Sequence, residues 1–343
     1  MEPHAEVFVP PEHAPHAGCW MALPYRDAEW PDLEAARAEV LALAAAIGRT
    51  EPVHLLVPPG EDAGAPLPAG VKALPARYGD AWTRDTAPLV GRDGRGAPLA
   101  LAFTFDGWGG RYLMECDAEL AARLAAAHSL PLRQSALVGE GGGIELDGEG
   151  TLLVTRDSWL RSPRPNGQDE ATLAATLASF LGVRAVLWLD GALRQDHTDG
   201  HIDTLARFVR PGEVVVMSPE HGDPNEGMLL ALARQLEAAH DAQGRRLRVH
   251  RIPSPGAVHD AEGALLPASY VNYYLANGQV LVPAYGVAPD EAACVALSRL
   301  FPARRVRPVP ARSILAGGGA VHCVTQQIPR LPEPPRHARS GPA

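Results

Sequence analysis

A chain of 343 residues, 46% of them hydrophobic, can bury a substantial core, and its formal net charge of −9 disfavours nucleic acid as a partner because phosphates need basic groups. No apolar run reaches membrane-spanning length, and MEPHAEVFVPPEH lacks a basic region followed by an apolar one, so a cytoplasmic protein with no membrane partner is expected. Four cysteines (Cys19, Cys116, Cys294, Cys323) without CxxC spacing argue against a disulfide framework and a structural zinc site.

The first helical stripe is Val40, Leu43, Ala44 and Ile47, at i, i+3, i+4 and i+7, and the β-prone VHLLVPP follows it. Leu120 with Leu124 predicts a second helix, leading into SALVGEGGG. TLLVTRDSWL reads as a strand; Leu173, Leu177, Phe180 and Leu181 then mark a third helix before RAVLWLDG. EVVVMSP precedes a helix carrying Leu229, Leu232 and Leu236, which RLRVHRIPSP follows. QVLVPAYG precedes the last stripe, Cys294, Leu297 and Phe301, with Asp290 as its expected N-cap and RRVRPVPARSIL after it. Five helices alternating with strands predict a repeated α/β unit spaced by roughly 50 to 80 residues. No charged or Ser/Gly-rich joint interrupts it, so 1–330 reads as a single domain, and 331–343, with little to bury, as a flexible tail.

The candidate chemistry falls in loops between these elements. Cys323 follows Gly317-Gly318-Gly319 in GGGAVHC, and a loop without Cβ atoms can crowd a ligand and present the next thiol to it. The thiol is either a nucleophile or a small buried hydrophobe. His201 and Asp203 in DHTDGHIDTLARF alternate along an extended chain and would share a side, as a proton carrier and a cation holder could. The same loop, with His197, Asp196 and Asp199, is alternatively a metal cluster or a solvated turn; Gly200 disfavours a helical metal site. Glu140 adjoins three glycines, whereas Glu145, Asp147 and Glu149 read as surface charges. Asp85 lies in DAWTRDTAP, and Trp82 and Trp108 are core aromatics or walls for a planar cation. Lys72 is the sole lysine, so Schiff-base chemistry has one unpromising carrier, and neither GxxxxGK[ST] nor GxGxxG occurs.

Seven blocks in order, PPEHAPHAGCWMALP, DAWTRDTAP, DGWGGRY, EGGGIELDGEGTLLVT, TDGHIDTLARF, PASYVNYYLANGQVLVPAYG and GGGAVHCVTQQIP, resemble the agmatine deiminase and bacterial peptidylarginine deiminase family of the guanidine-modifying superfamily. The resemblance implies an α/β five-bladed propeller of pseudo-fivefold symmetry (pentein-like) with the site at its axis. It implies Cys323 as nucleophile, His201 as general acid/base, Glu140 orienting that histidine, Asp85 and Asp203 holding the guanidinium, and Trp82 beside the substrate stem; Trp108 is expected with it as a substrate wall. It implies hydrolysis of agmatine to N-carbamoylputrescine and ammonia through an amidino-cysteine, with no metal or organic cofactor; oligomeric state is not legible in the sequence, and a homodimer is a guess. Peptidylarginine deimination, amidino transfer and a non-catalytic guanidine-binding protein are the other readings. TAP where the family has TGP, IELDGEG for IHVDGEG and GHIDT for GHVDN depart from the pattern without removing a proposed catalytic side chain.

Overall fold

The structure, a computed structural model, describes residues 7–331 apart from 62–65, 162 and 165. Four times along the chain a strand pairs antiparallel with the next, a helix follows, and a third strand returns parallel to the second. Leu89–Arg92 pairs with Pro98–Thr104, helix Leu120–Ala127 crosses over, and Leu132–Val138 adds to the sheet. Thr151–Thr155 with Ala185–Leu189, Glu213–Ser218 with Arg248–Pro253, and Gln279–Ala284 with Arg305–Pro310 repeat that parallel pair. Their crossovers are helices Glu170–Leu181, Glu226–Ala238 and Asp290–Leu300. Parallel strands need such a crossover, and each amphipathic helix supplies it while burying its apolar stripe.

A fifth copy is divided between the two ends of the described chain. Gln326–Pro329 pairs antiparallel with His16–Ala22, which pairs parallel with Val53–Val57 after helix Leu33–Ile47, and Val71–Pro75 extends that sheet. The five stripes read from periodicity are five helices here. Val40, Leu43, Ala44 and Ile47 are buried on the first, Leu173, Leu177, Phe180 and Leu181 on the third, and Leu229, Leu232 and Leu236 on the fourth. Asp169 caps the third helix by accepting from Thr172 N at 2.8 Å, and Gly182 ends it in the left-handed region at φ 72°.

Several local expectations give way to particular contacts. SIL, expected as a strand, lies in the short helix Arg312–Ala316, because Glu39 accepts the otherwise orphaned Ser313 and Ile314 N–H groups at 2.8 and 2.9 Å. Asp290 is the first helical residue rather than the cap; Pro289 takes that place, and the Asp290 carboxylate turns back to Gly286 N at 2.8 Å. The strand TLLVT ends at Thr155, and Asp157–Arg161 form one π-helical turn. Glu145 and Asp147 are buried, not surface charges. Glu145 accepts from Arg207 Nε at 2.7 Å and Phe208 N at 2.8 Å, while Asp147 caps a turn at Thr151 N, 2.8 Å away. The expected flexible tail lies outside the described residues, save Leu331.

This architecture has one consequence for chemistry. Five connectors, 58–88, 139–144, 190–205, 254–273 and 311–325, run from the third strand of one unit to the first strand of the next. Connectors at equivalent positions in units that close on themselves meet at one end, as loops on a rigid scaffold do at functional sites.

Candidate functional site

Each connector delivers side chains to the same place. The first ends in the single-turn helix Thr83–Thr86, which holds Asp85; its Oδ2 accepts from the indole N–H of Trp108 at 3.0 Å and its Oδ1 from Gly142 N at 2.9 Å. Trp108 reaches this position from a turn in which Gly107, Trp108, Gly109 and Gly110 all have positive φ. Trp82 stacks on Trp30, ring centroids 5.2 Å apart and 20° from parallel.

The second connector carries Glu140, the third His201 and Asp203. His201 Nε2 lies 3.2 Å from Glu140 Oε2, and His201 Nδ1 lies 3.9 Å from Asp85 Oδ1. Arg164 donates from Nε to both Glu140 oxygens at 3.0 Å, so this carboxylate is held in one plane. His201 and Asp203 do not alternate along an extended chain, as expected; Ile202–Thr204 is a 3-10 turn, and His201 meets Glu140 while Asp203 meets His322. Asp203 Oδ2 accepts from His322 Nδ1 at 2.7 Å, whereas Asp203 Oδ1 is buried with no hydrogen-bond partner.

The fourth and fifth connectors bring Asn272 and Cys323. The Cys323 thiol points toward Asn272 Oδ1 at 3.5 Å and Asp203 Oδ2 at 4.0 Å. Two glycines are needed for this approach. A Cβ on Gly319 would lie 2.6 Å from Trp82 and 3.1 Å from Cys323 Sγ, and one on Gly142 would lie 2.6 Å from His201 Nδ1 and 2.9 Å from Asp85 Oδ1.

Burial and crowding set the charges. Burial pushes Asp85 up to about 6, against the pull of His201, with Glu140 and Asp203 adding to the rise. His201 also loses solvation, yet Asp85, Glu140 and Asp203 outweigh that loss and push it up to about 9. Burial opposes charge on Glu140 and Asp203 too, but their partners, His201 with Arg164 and His322 with His201, hold both below the usual carboxylate range. Burial, then the charges of Asp203 and Asp85, push the Cys323 thiol well above its ordinary value. A cation placed between those carboxylates would cancel part of that field.

Above these groups opens a cavity of about 380 Å³, lined among others by Trp30, Trp82, Trp108, Tyr112, Glu29, Asp80, Asp85 and Cys323. All seven residues singled out from the sequence therefore come together: Cys323, Asp85, Trp82 and Trp108 at the cavity wall, and Glu140, His201 and Asp203 buried against them. His197 and Asp199 form no metal cluster with their neighbours; His197 packs on Tyr112, and Asp199 pairs with Arg111 at 2.8 Å. Among the described residues no group of His, Cys, Asp and Glu side chains could hold a metal ion.

Sequence reasoning missed Asn272, His322, Arg164, Glu12 and Trp30. His322 and Asn272 stand inside two of the motif blocks, so adjacency to the thiol and a polar residue within YVNYY were available signals. Arg164 and Trp30 lie in loops with no pattern that points inward.

Residues 8–329 match the Porphyromonas-type peptidyl-arginine deiminase family. A protein of Streptomyces coelicolor is 41% identical, over 94% of this chain and 98% of its own. The agmatine deiminase of Stutzerimonas stutzeri is 37% identical, over 94% of this chain and 95% of its own. Among solved structures, an agmatine deiminase of Enterococcus faecalis superposes with a TM-score of 0.91 at 26% identity, covering 97% of this chain and 99% of that one.

Proposed function

This chain belongs to the Porphyromonas-type peptidyl-arginine deiminase family, and from that premise we propose that it hydrolyses agmatine to N-carbamoylputrescine and ammonia through an amidino adduct on Cys323. The observation that carries the reading is a pair of buried carboxylates at the Cys323 thiol: Asp203 Oδ2 lies 4.0 Å from Sγ, and Asp85 lines the same aromatic cavity as Cys323. Buried like charges are costly, and a guanidinium offsets them while donating charge-assisted bonds to carboxylates.

The chemistry then follows from the groups in place. The guanidinium cation sits against Asp85 and Asp203 and offsets the negative field that keeps the thiol protonated, and the thiol proton passes to solvent water through the cavity. The Cys323 thiolate adds to the guanidinium carbon, forming a C–S bond and a tetrahedral adduct. His201, carrying a proton, gives it to one amino nitrogen; the C–N bond breaks and ammonia departs. Neutral His201, still oriented by Glu140, takes a proton from a water that adds to the amidino carbon. The C–S bond breaks, the oxygen's remaining proton is shed, and the ureido product leaves Cys323 as thiolate.

The choice of agmatine rests on the rest of the cavity. Its wall carries Glu29, Asp80 and Asp85 and neither lysine nor arginine, a lining that suits a substrate with a second cation better than one with a free carboxylate. The relatives named as agmatine deiminases agree with this. Ammonia and ureido product are to be measured from agmatine, free arginine and an arginyl peptide. Agmatine should give the highest kcat/KM by at least about 100-fold, the value of roughly two lost charged contacts; equal or better turnover of the peptide would replace this substrate with a peptidyl one.

A further inference from the structure

The histidine next to the thiol is not spent on the thiol. His322 Nδ1 lies 2.7 Å from Asp203 Oδ2, and His322 Nε2 lies 2.6 Å from Glu12 Oε2, all three side chains being buried. Both ring nitrogens face carboxylate oxygens, so the ring bridges Asp203 to Glu12. Glu12 is itself fixed. Its Oε2 pairs with Arg207 Nη2 at 2.9 Å and Arg84 Nη2 at 3.2 Å, and its Oε1 accepts from Leu275 N at 2.8 Å. Arg84 in turn donates from Nε to the His322 carbonyl at 3.4 Å, and its backbone N–H to the Cys323 carbonyl at 3.1 Å.

We propose that Glu12 and His322 are positioning residues for guanidinium binding: the chain Glu12–His322–Asp203 anchors Asp203 Oδ2 beside the Cys323 thiol and keeps that carboxylate charged and in place for the cation. The inference rests on the reading of Asp203 as a guanidinium holder. Without His322, a buried Asp203 loses the largest of the influences that hold it charged and keeps only the more distant pull of His201 and Arg207. Asp85 and the Cys323 thiol approach from two other connectors, and His201 from its own; Arg207, on the following strand, is shared with Glu12 and Glu145. Asp203 would then take up a proton in the pH range where wild type keeps it charged, consistent with His322 being the largest influence holding it down. The segment before the first strand, which supplies Glu12, would thus act on the substrate at second hand.

The test is His322→Asn, assayed with agmatine from pH 5 to 9 beside wild type. The expected result is a KM raised at least tenfold with kcat reduced less, and an acid limb of kcat/KM that moves to higher pH and steepens, because two carboxylates now need ionising. A KM within about twofold of wild type with an unmoved acid limb, or a loss uniform across pH, would overturn the proposal. Absence of agmatine turnover by wild type would instead strike the substrate assignment. Should the variant not fold, neutron diffraction from wild-type crystals decides: deuterium on both His322 ring nitrogens supports the chain, and a bare Nδ1 facing a protonated Asp203 overturns it.

Discussion

At the scale of single residues the site sets opposite protonation demands on two neighbours. In the proposed mechanism Asp85 is a carboxylate that holds a cation, yet burial pushes it up to about 6; His201 carries the proton that releases ammonia, and Asp85, Glu140 and Asp203 overcome its burial and push it up to about 9. The sign follows directly. Below about pH 6 Asp85 gains a proton and substrate binding fails, and above about pH 9 His201 loses its proton and the leaving group is not protonated. A kcat/KM profile for agmatine should therefore be bell-shaped with apparent limbs near those two values, which belong to the interacting pair. A flat profile between pH 5 and 10 would contradict these roles. The residues proposed to carry the chemistry, which the fold brings together, were legible because each sits in a short motif that also holds glycine or tryptophan, as Gly142 and Gly319 illustrate by their contacts with His201 and Cys323. Arg164 was not legible. Its guanidinium reaches Glu140 from a loop with no periodicity, and Glu145, read as a surface charge, is buried by Arg207 from the next unit, a partner only the fold supplies.

At the scale of elements, the crossover helices are the part most strongly fixed by local pattern. Leu173, Leu177, Phe180 and Leu181 recur at helical spacing between Asp169 at one end and Gly182 at the other, and the structure buries all four. Leu177 is fully buried, so Leu177→Ala should lower stability by about 2–5 kcal/mol through lost transfer free energy and a cavity. Urea unfolding followed by tryptophan fluorescence and by activity is the check. A loss below about 0.5 kcal/mol would mean that this helix does not pack as described. Short elements were less legible, for a physical reason. Arg312–Ala316 is helical because Glu39, distant in sequence, caps it, and the turn at Ile202–Thr204 replaces an extended run whose alternation suggested a strand. In both, a tertiary contact outweighs weak local preference: Glu39 in the first, Glu140 and His322 in the second.

For the whole molecule, five strand–strand–helix–strand units account for the α/β pentein-type architecture, and the strand Gln326–Pro329 completes the unit begun by His16–Ala22. We propose that 7–331 is a single domain, since its two ends share one sheet; fluorescence and activity should then be lost at one urea concentration, for wild type and Leu177→Ala alike. The repeat was visible in sequence as five spaced stripes. Its closure was not, because the pairing of the first and last strands leaves no trace in either segment alone. That closure is what lets five separate connectors surround one thiol, and it makes the covalent step the central claim. Acid quenching of enzyme in excess over agmatine during a single turnover, followed by peptide mass spectrometry, tests it most directly. The Cys323 peptide should gain the mass of agmatine less ammonia and lose it as N-carbamoylputrescine appears. Product formation with Cys323 never modified, or with the adduct on another residue, would contradict it.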